Sequence, residues 1–154
     1  CVPYGWQFPD EDVFMPSAKG KGLNCFGLLT RTNKLMFSTT TQNINSTFVF
    51  EYLDRLSFML EKPTVIVLDN ASVHTAKIIQ KQRKVWEERG LILFYLPPYS
   101  PQLNLIEILW KMLKYYWLKP EDYAEEQLLF YKTTQALAAV GNTLNINFSD
   151  LALV

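Results

Sequence analysis

The amino-acid sequence predicts an α/β layered domain. Three observations carry this prediction. Two short runs, TVIVL at 64–68 and LILFYL at 91–96, are almost wholly apolar and show no polar alternation. That is the pattern of strands covered on both faces in a parallel or mixed central sheet flanked by helices. Segments with apolar residues at helical spacing alternate with these runs, and Gly, Pro and Asn stand at the junctions.

The elements follow in order. Residues 1–22 hold Pro3, Gly5, Pro9, Pro16, Gly20 and Gly22 among aromatics, an irregular opening with a short strand near Asp12–Met15. LNCFGLLT (23–30) reads as a buried strand and KLMFSTT (34–40) as its partner. Arg31-Thr32-Asn33 makes the hairpin connection, with Asn33 able to take a turn conformation. Asn45 and Ser46 open a helix whose Phe48, Val49, Tyr52, Leu53, Leu56 and Met59 recur at helical spacing to about Leu60; Pro63 stops it. After the strand at 64–68, a second helix runs from Thr75 to Arg89 and ends at Gly90. After the strand at 91–96, Pro97, Pro98 and Pro101 impose an extended loop. Asn104 is a good N-cap, with Glu107 at N3, for a helix from Leu105 to Leu118. A last helix spans Glu121 to about Val140 and closes at Gly141, and Leu144–Phe148 is a candidate short strand.

Length and composition bound the function. The 154 residues suit one domain with a real core, and 49% hydrophobic content argues against disorder. No apolar stretch is long enough to span a bilayer, and no signal peptide is visible, so no membrane partner is expected. The chain starts at Cys1 rather than Met, which reads as a piece of a longer protein. Cys1 and Cys25 form no CxxC and are expected as ordinary thiols in a reduced, cytosolic setting. Formal net charge is zero, yet eight Lys and Arg residues between Lys77 and Lys119 face only Glu87, Glu88 and Glu107. A basic middle is a modest signal for a polyanionic partner; its ordinary alternative is a solvated helix face. GKG at 20–22 lacks the phosphate-loop pattern, which argues against an ATPase.

Two carboxylates stand out. Asp69 directly follows TVIVL, where a strand end in an α/β fold can direct it into a crevice. The bland reading is Asp-Asn turn chemistry with Asn70. Glu107 lies in the first turn of a helix, where Glu at N3 also serves as an ordinary helix-start residue. Taken together, two oxygen ligands on rigid elements suit Mg²⁺ or Mn²⁺. Two such ions about 4 Å apart would act on a phosphodiester. Glu107, Trp110, Lys111 and Lys114 fall at i, i+3, i+4 and i+7 of one helix. Lysines there suit DNA phosphates, and Trp110 is either a stacking group or core. His74, the single histidine, excludes ordinary zinc spacing and a serine triad. It reads as a donor behind the carboxylate, as a phosphate contact, or as a helix-start residue with no role in the chemistry.

VIVLDNASVHTAK (65–77) and LPPYSPQLNLIEILWKMLKYYW (96–117) resemble the DDE endonuclease domain of bacterial insertion-sequence transposases of the mariner-like superfamily. PYGW (3–6) and KGKGLNCFGLL (19–29) look similar to it too. The resemblance implies an RNase H-like fold and a two-metal Mg²⁺ or Mn²⁺ site. It places the second catalytic acid at Asp69 and the third at Glu107, with 37 residues between them. It implies terminal inverted repeats and target DNA as partners, a homodimer in the intact protein, and a bacterial cytoplasmic, nucleoid-associated setting. Lys111, Lys114, Trp110, His74 and Asn70 are the expected DNA contacts. The family's first acid lies upstream of PYGW, so that acid, the first strand and the N-terminal DNA-binding region are expected to be missing from this chain. Asp10 and Asp12 follow PYGW and do not inherit the role. The expected function is metal-dependent DNA cleavage and strand transfer, with little nuclease activity in this piece alone. The alternatives are a catalytically incomplete remnant that serves as a DNA-binding or assembly module, and the same fold acting on an RNA–DNA hybrid or a junction.

Overall fold

A computed structural model of the chain describes residues 22–148. The expected strand at Asp12–Met15, the PYGW stretch and the acidic cluster at 10–12 lie outside the described residues. The elements are mixed α/β, and the chain divides into two compact units. One is contiguous, Asn43–Glu107; the other joins the described residues up to Gln42 to those from Ile108 onward.

The contiguous unit begins with α1 (Ser46–Met59), capped as expected: the Asn45 side chain accepts the Phe48 backbone N–H at 2.9 Å. Its buried stripe is Val49, Leu53 and Leu56. β3 (Thr64–Leu68) and β4 (Leu91–Tyr95) pair in parallel, in register from Thr64↔Leu91 to Leu68↔Tyr95. Parallel neighbours need a crossover, and α2 (Lys77–Glu88) provides it, packing on both α1 and β4. Ile79 and Trp86, two turns apart on α2, are fully buried. The Trp86 indole N–H donates to Asp54 Oδ1 at 3.0 Å, and the Arg89 guanidinium reaches the same oxygen at 2.8 Å. Arg89 also lies over the Phe58 ring, 3.9 Å from its centroid. Gly90 ends this region at φ +88°, the left-handed conformation its lack of a Cβ permits.

The unit departs from expectation in two places. α2 starts at Lys77, not Thr75, because Ala71 O first accepts from the backbone of both His74 and Thr75 in a separate turn. Secondly, among the described residues β3 and β4 are covered on one face only. Ile66, Leu68, Leu91 and Leu93 are buried, whereas Val65, Val67, Ile92 and Phe94 are 41–57% exposed. An all-apolar run cannot report which of its two faces is covered, since period-2 information is absent from it. Among the described residues, β3 and β4 hydrogen-bond only with each other.

In the other unit, β1 (Asn24–Leu29) and β2 (Leu35–Thr40) form the expected antiparallel hairpin, Asn24↔Thr40 to Leu29↔Leu35. Asn33 closes its turn at φ 60°. The Asn33 side chain also accepts the Ile146 N–H at 2.7 Å and donates to the Ile146 carbonyl at 3.1 Å. Ile146 is therefore held by a side chain, and among the described residues the segment makes the bridge Val140–Leu144 instead of the candidate strand at Leu144–Phe148. Gly141, at φ +83°, passes so close that an added Cβ would stand 2.5 Å from the Asn33 carbonyl oxygen.

The helices near the C-terminus are shorter than predicted. α3 covers Leu105–Met112, and Leu113–Trp117 continues as a wider π turn closed by Leu118 N–H to Leu113 O at 3.0 Å. The expected helix from Glu121 is broken in two. Pro120–Tyr123 forms a 3₁₀ turn, in which the Asp122 carboxylate accepts the Lys119 N–H at 2.8 Å. α4 (Glu126–Ala139) follows and packs on β2. The Asp122 bond caps a turn of its own and detaches it from α4, a local competition that apolar periodicity does not reveal.

Candidate active site

β3 delivers Asp69. Leu68, the last residue of the strand, is buried, and the next step of the chain brings the Asp69 side chain out to 42% exposure. A tight turn then forms on one of its oxygens. Oδ1 accepts the Ala71 N–H at 3.0 Å and lies 2.7 Å from His74 Nδ1. Among the described residues no hydrogen bond reaches Oδ2. The turn reading of Asp69 and the site reading thus rest on different oxygens of one carboxylate. Asn70 is exposed, and its amide nitrogen donates to the Leu96 carbonyl at 2.6 Å, which ties the end of β3 to the end of β4.

The proline loop brings the chain round to Glu107. Asp69, Asn70, Leu96, Tyr99, Ser100, Asn104 and Glu107 line one open cavity of about 300 Å³. The Glu107 backbone N–H donates to Asn104 O at 3.0 Å, so the helix start is made by main chain. The bland alternative, a Glu107 carboxylate turned back onto that start, does not form: the side chain is exposed and makes no hydrogen bond or ion pair among the described residues. Two carboxylates therefore share a cavity whose lining, among the described residues, contains no Lys or Arg. The fixed charge there is negative, which favours a cation.

The family model described as DDE superfamily endonuclease matches residues 1–129. The chain belongs to the DDE superfamily of endonucleases. No curated protein matches it. The match contains both stretches that carried the sequence resemblance, 65–77 and 96–117. DDE endonuclease domains are transposase-type nucleases that act on DNA and generally use divalent metals. The donor set fits such an ion in its chemistry: hard carboxylate oxygens from Asp69 and Glu107, with amide and hydroxyl oxygens of Asn70, Asn104 and Ser100 around them. Among the described residues no cluster of three or more Asp, Glu, His or Cys accompanies the pair. Mg²⁺ held by one or two carboxylates completes its shell with water and substrate phosphate. No described helix of this DDE endonuclease domain is long and apolar enough to cross a membrane.

The remaining sequence candidates are placed differently. Trp110, Lys111 and Lys114 do not line the cavity. Lys111 and Lys114 are exposed and Trp110 is half-buried. α3 ends at Met112 and a π turn follows from Leu113, so Lys114 stands on the element after the one that carries Trp110 and Lys111. The His74 side chain is only 16% exposed. Sequence reasoning missed Tyr99, which lines the cavity fully exposed with a left-handed φ of 57°. Such a conformation is unusual for a bulky residue, and its placement between Pro98 and Pro101 was the available signal. It also missed Tyr95, whose hydroxyl donates to the His74 carbonyl at 2.8 Å.

Proposed function

We propose that the chain is the catalytic domain of a mariner-like transposase, cutting DNA at the terminal inverted repeats of an element and joining it to target DNA. The observation that supports this reading best is the cavity shared by Asp69 and Glu107, where no hydrogen bond among the described residues engages Asp69 Oδ2 or the Glu107 carboxylate. Asp69 and Glu107 are the proposed holders of Mg²⁺ or Mn²⁺. When bound, a pair of such ions supplies activation of a water or 3′-hydroxyl and stabilisation of the leaving oxygen. The chain's own part is to fix two anionic oxygens at a strand end and a helix start, both rigid supports for a phosphodiester. Asn70 is the proposed DNA contact at the cavity wall. Lys111 and Lys114, exposed along the helical segment after Glu107, are proposed phosphate contacts, with Trp110 packing beside them. A homodimer is the proposed working form of the intact protein.

The test is Mn²⁺ titration calorimetry on the chain and on Asp69→Ala and Glu107→Ala, with nicking of duplex DNA followed in parallel. The chain is expected to bind Mn²⁺, and each substitution to weaken binding at least tenfold. If both variants bind as the unmodified chain does, Asp69 and Glu107 are turn and helix-start residues. The chain is then a DNA-binding or assembly module.

A further inference from the structure

We infer that His74 is a positioning residue for Asp69: it holds Oδ1 so that Oδ2 is the oxygen presented to a cation in the cavity. The inference rests on the reading of Asp69 as a metal-holding carboxylate and adds to it the group that aims it. An ionised carboxylate only accepts hydrogen bonds, so across the 2.7 Å contact His74 Nδ1 carries the proton and donates. The Ala71 N–H meets the same oxygen at 3.0 Å from the main chain. Two donors on Oδ1 fix the torsion of the carboxylate.

His74 is itself fixed from several sides. Its backbone N–H donates to Ala71 O at 2.9 Å, and its carbonyl accepts the Tyr95 hydroxyl at 2.8 Å. That hydroxyl in turn accepts from Gln80 Nε2 at 3.0 Å, and Arg83 lies 5.6 Å from the Tyr95 ring centroid. The main chain that carries the imidazole is thus held by the last residue of β4, itself contacted from α2. At 16% exposure against 42% for Asp69, it stands behind the carboxylate, a poor location for gripping a phosphate. Groups that orient a ligand in this way commonly change metal affinity by about 10–100-fold when removed.

The test uses the whole chain, with Mn²⁺ as the probe, measured by calorimetry on the unmodified protein, His74→Phe, His74→Asn and Asp69→Ala. Asparagine keeps an N–H donor close to the place of Nδ1; phenylalanine keeps the ring and loses the donor. The expected result is a Kd raised about 10–100-fold in His74→Phe and restored to within about threefold of the unmodified chain in His74→Asn. Loss of binding in Asp69→Ala but not in His74→Phe overturns the inference and leaves the metal reading standing. No binding by the unmodified chain, or unchanged binding in Asp69→Ala, overturns the metal reading and the inference with it. A measurement on the unmodified chain is independent of how the variants fold. With only one histidine present, ¹⁵N NMR reads its neutral tautomer without assignment ambiguity. The Nδ1–H form is expected, and the Nε2–H form overturns the inference.

Discussion

Replacing Asp54 tests the support behind the cavity. One oxygen of Asp54 accepts from Trp86 at 3.0 Å and from Arg89 at 2.8 Å, which joins α1 to α2. Trp86 is fully buried, so Asp54→Ala leaves an indole N–H without its acceptor, at a cost of about 1–3 kcal/mol. The Asp54–Arg89 pair, each side chain 30% exposed, adds at most about 1 kcal/mol after solvent screening. The sum is a loss of about 1–4 kcal/mol. Asp54→Asn keeps an oxygen for Trp86 and loses only the charge, so it should cost about 1 kcal/mol. Urea unfolding followed by far-UV circular dichroism measures both, the midpoints converting to free energy at constant slope. An Asp54→Ala chain as stable as the unmodified one, or an Asn variant as damaged as the Ala variant, refutes the reasoning. The first result would mean Trp86 finds another acceptor; the second would mean the charge, not the oxygen, holds the helices.

Two further outcomes follow from local geometry. Gly90→Ala meets its nearest atom, Pro63 Cα, at an ordinary 3.5 Å and pays only for a left-handed alanine, about 1–2 kcal/mol. Gly141→Ala adds a 2.5 Å clash with a backbone oxygen and should cost about 2–5 kcal/mol; equal costs in a urea series would contradict this. Burial pushes the Cys25 thiol up from 9.0 to about 11, and the Lys114 ammonium offsets part of that rise. The folded state then holds this proton more tightly than the unfolded one. Its contribution is full below pH 9 and is lost as pH rises through about 11. In a Cys1→Ser background, thiol labelling at pH 9 should be far slower in the folded chain than in urea, and comparable rates would count against the buried thiol.

Much of the scaffold was legible in the sequence, and the reasons are local. Asn45 before an apolar stripe, Gly90 after one, and two β-branched runs fix their elements through short-range physics. Asp69 and Glu107 were found because a strand end and a helix start are recognisable positions, and the fold brings both to one cavity. What was not legible depended on partners far along the chain. TVIVL has no period-2 contrast, so its open face was invisible. Leu105–Trp117 is helical throughout by residue type, and nothing in that type announces the change to a π turn at Leu113. The role of His74 hangs on a 2.7 Å contact and on Tyr95, twenty-one residues away, which spacing alone does not link.

Asn33 and Ile146 stand 113 residues apart, so a ribosome that has just finished the hairpin is far from making the residue that clasps its turn. At about 5–20 residues per second the wait is about 6–23 s. The stretch between them, Asn43–Glu107, is a contiguous unit and is free to collect its own core during that interval. Synthesis order therefore favours Asp69 and its turn being built before the flanking unit is closed. Slowing translation between residues 108 and 146 should delay protease resistance of the hairpin while leaving that of the middle of the chain unchanged.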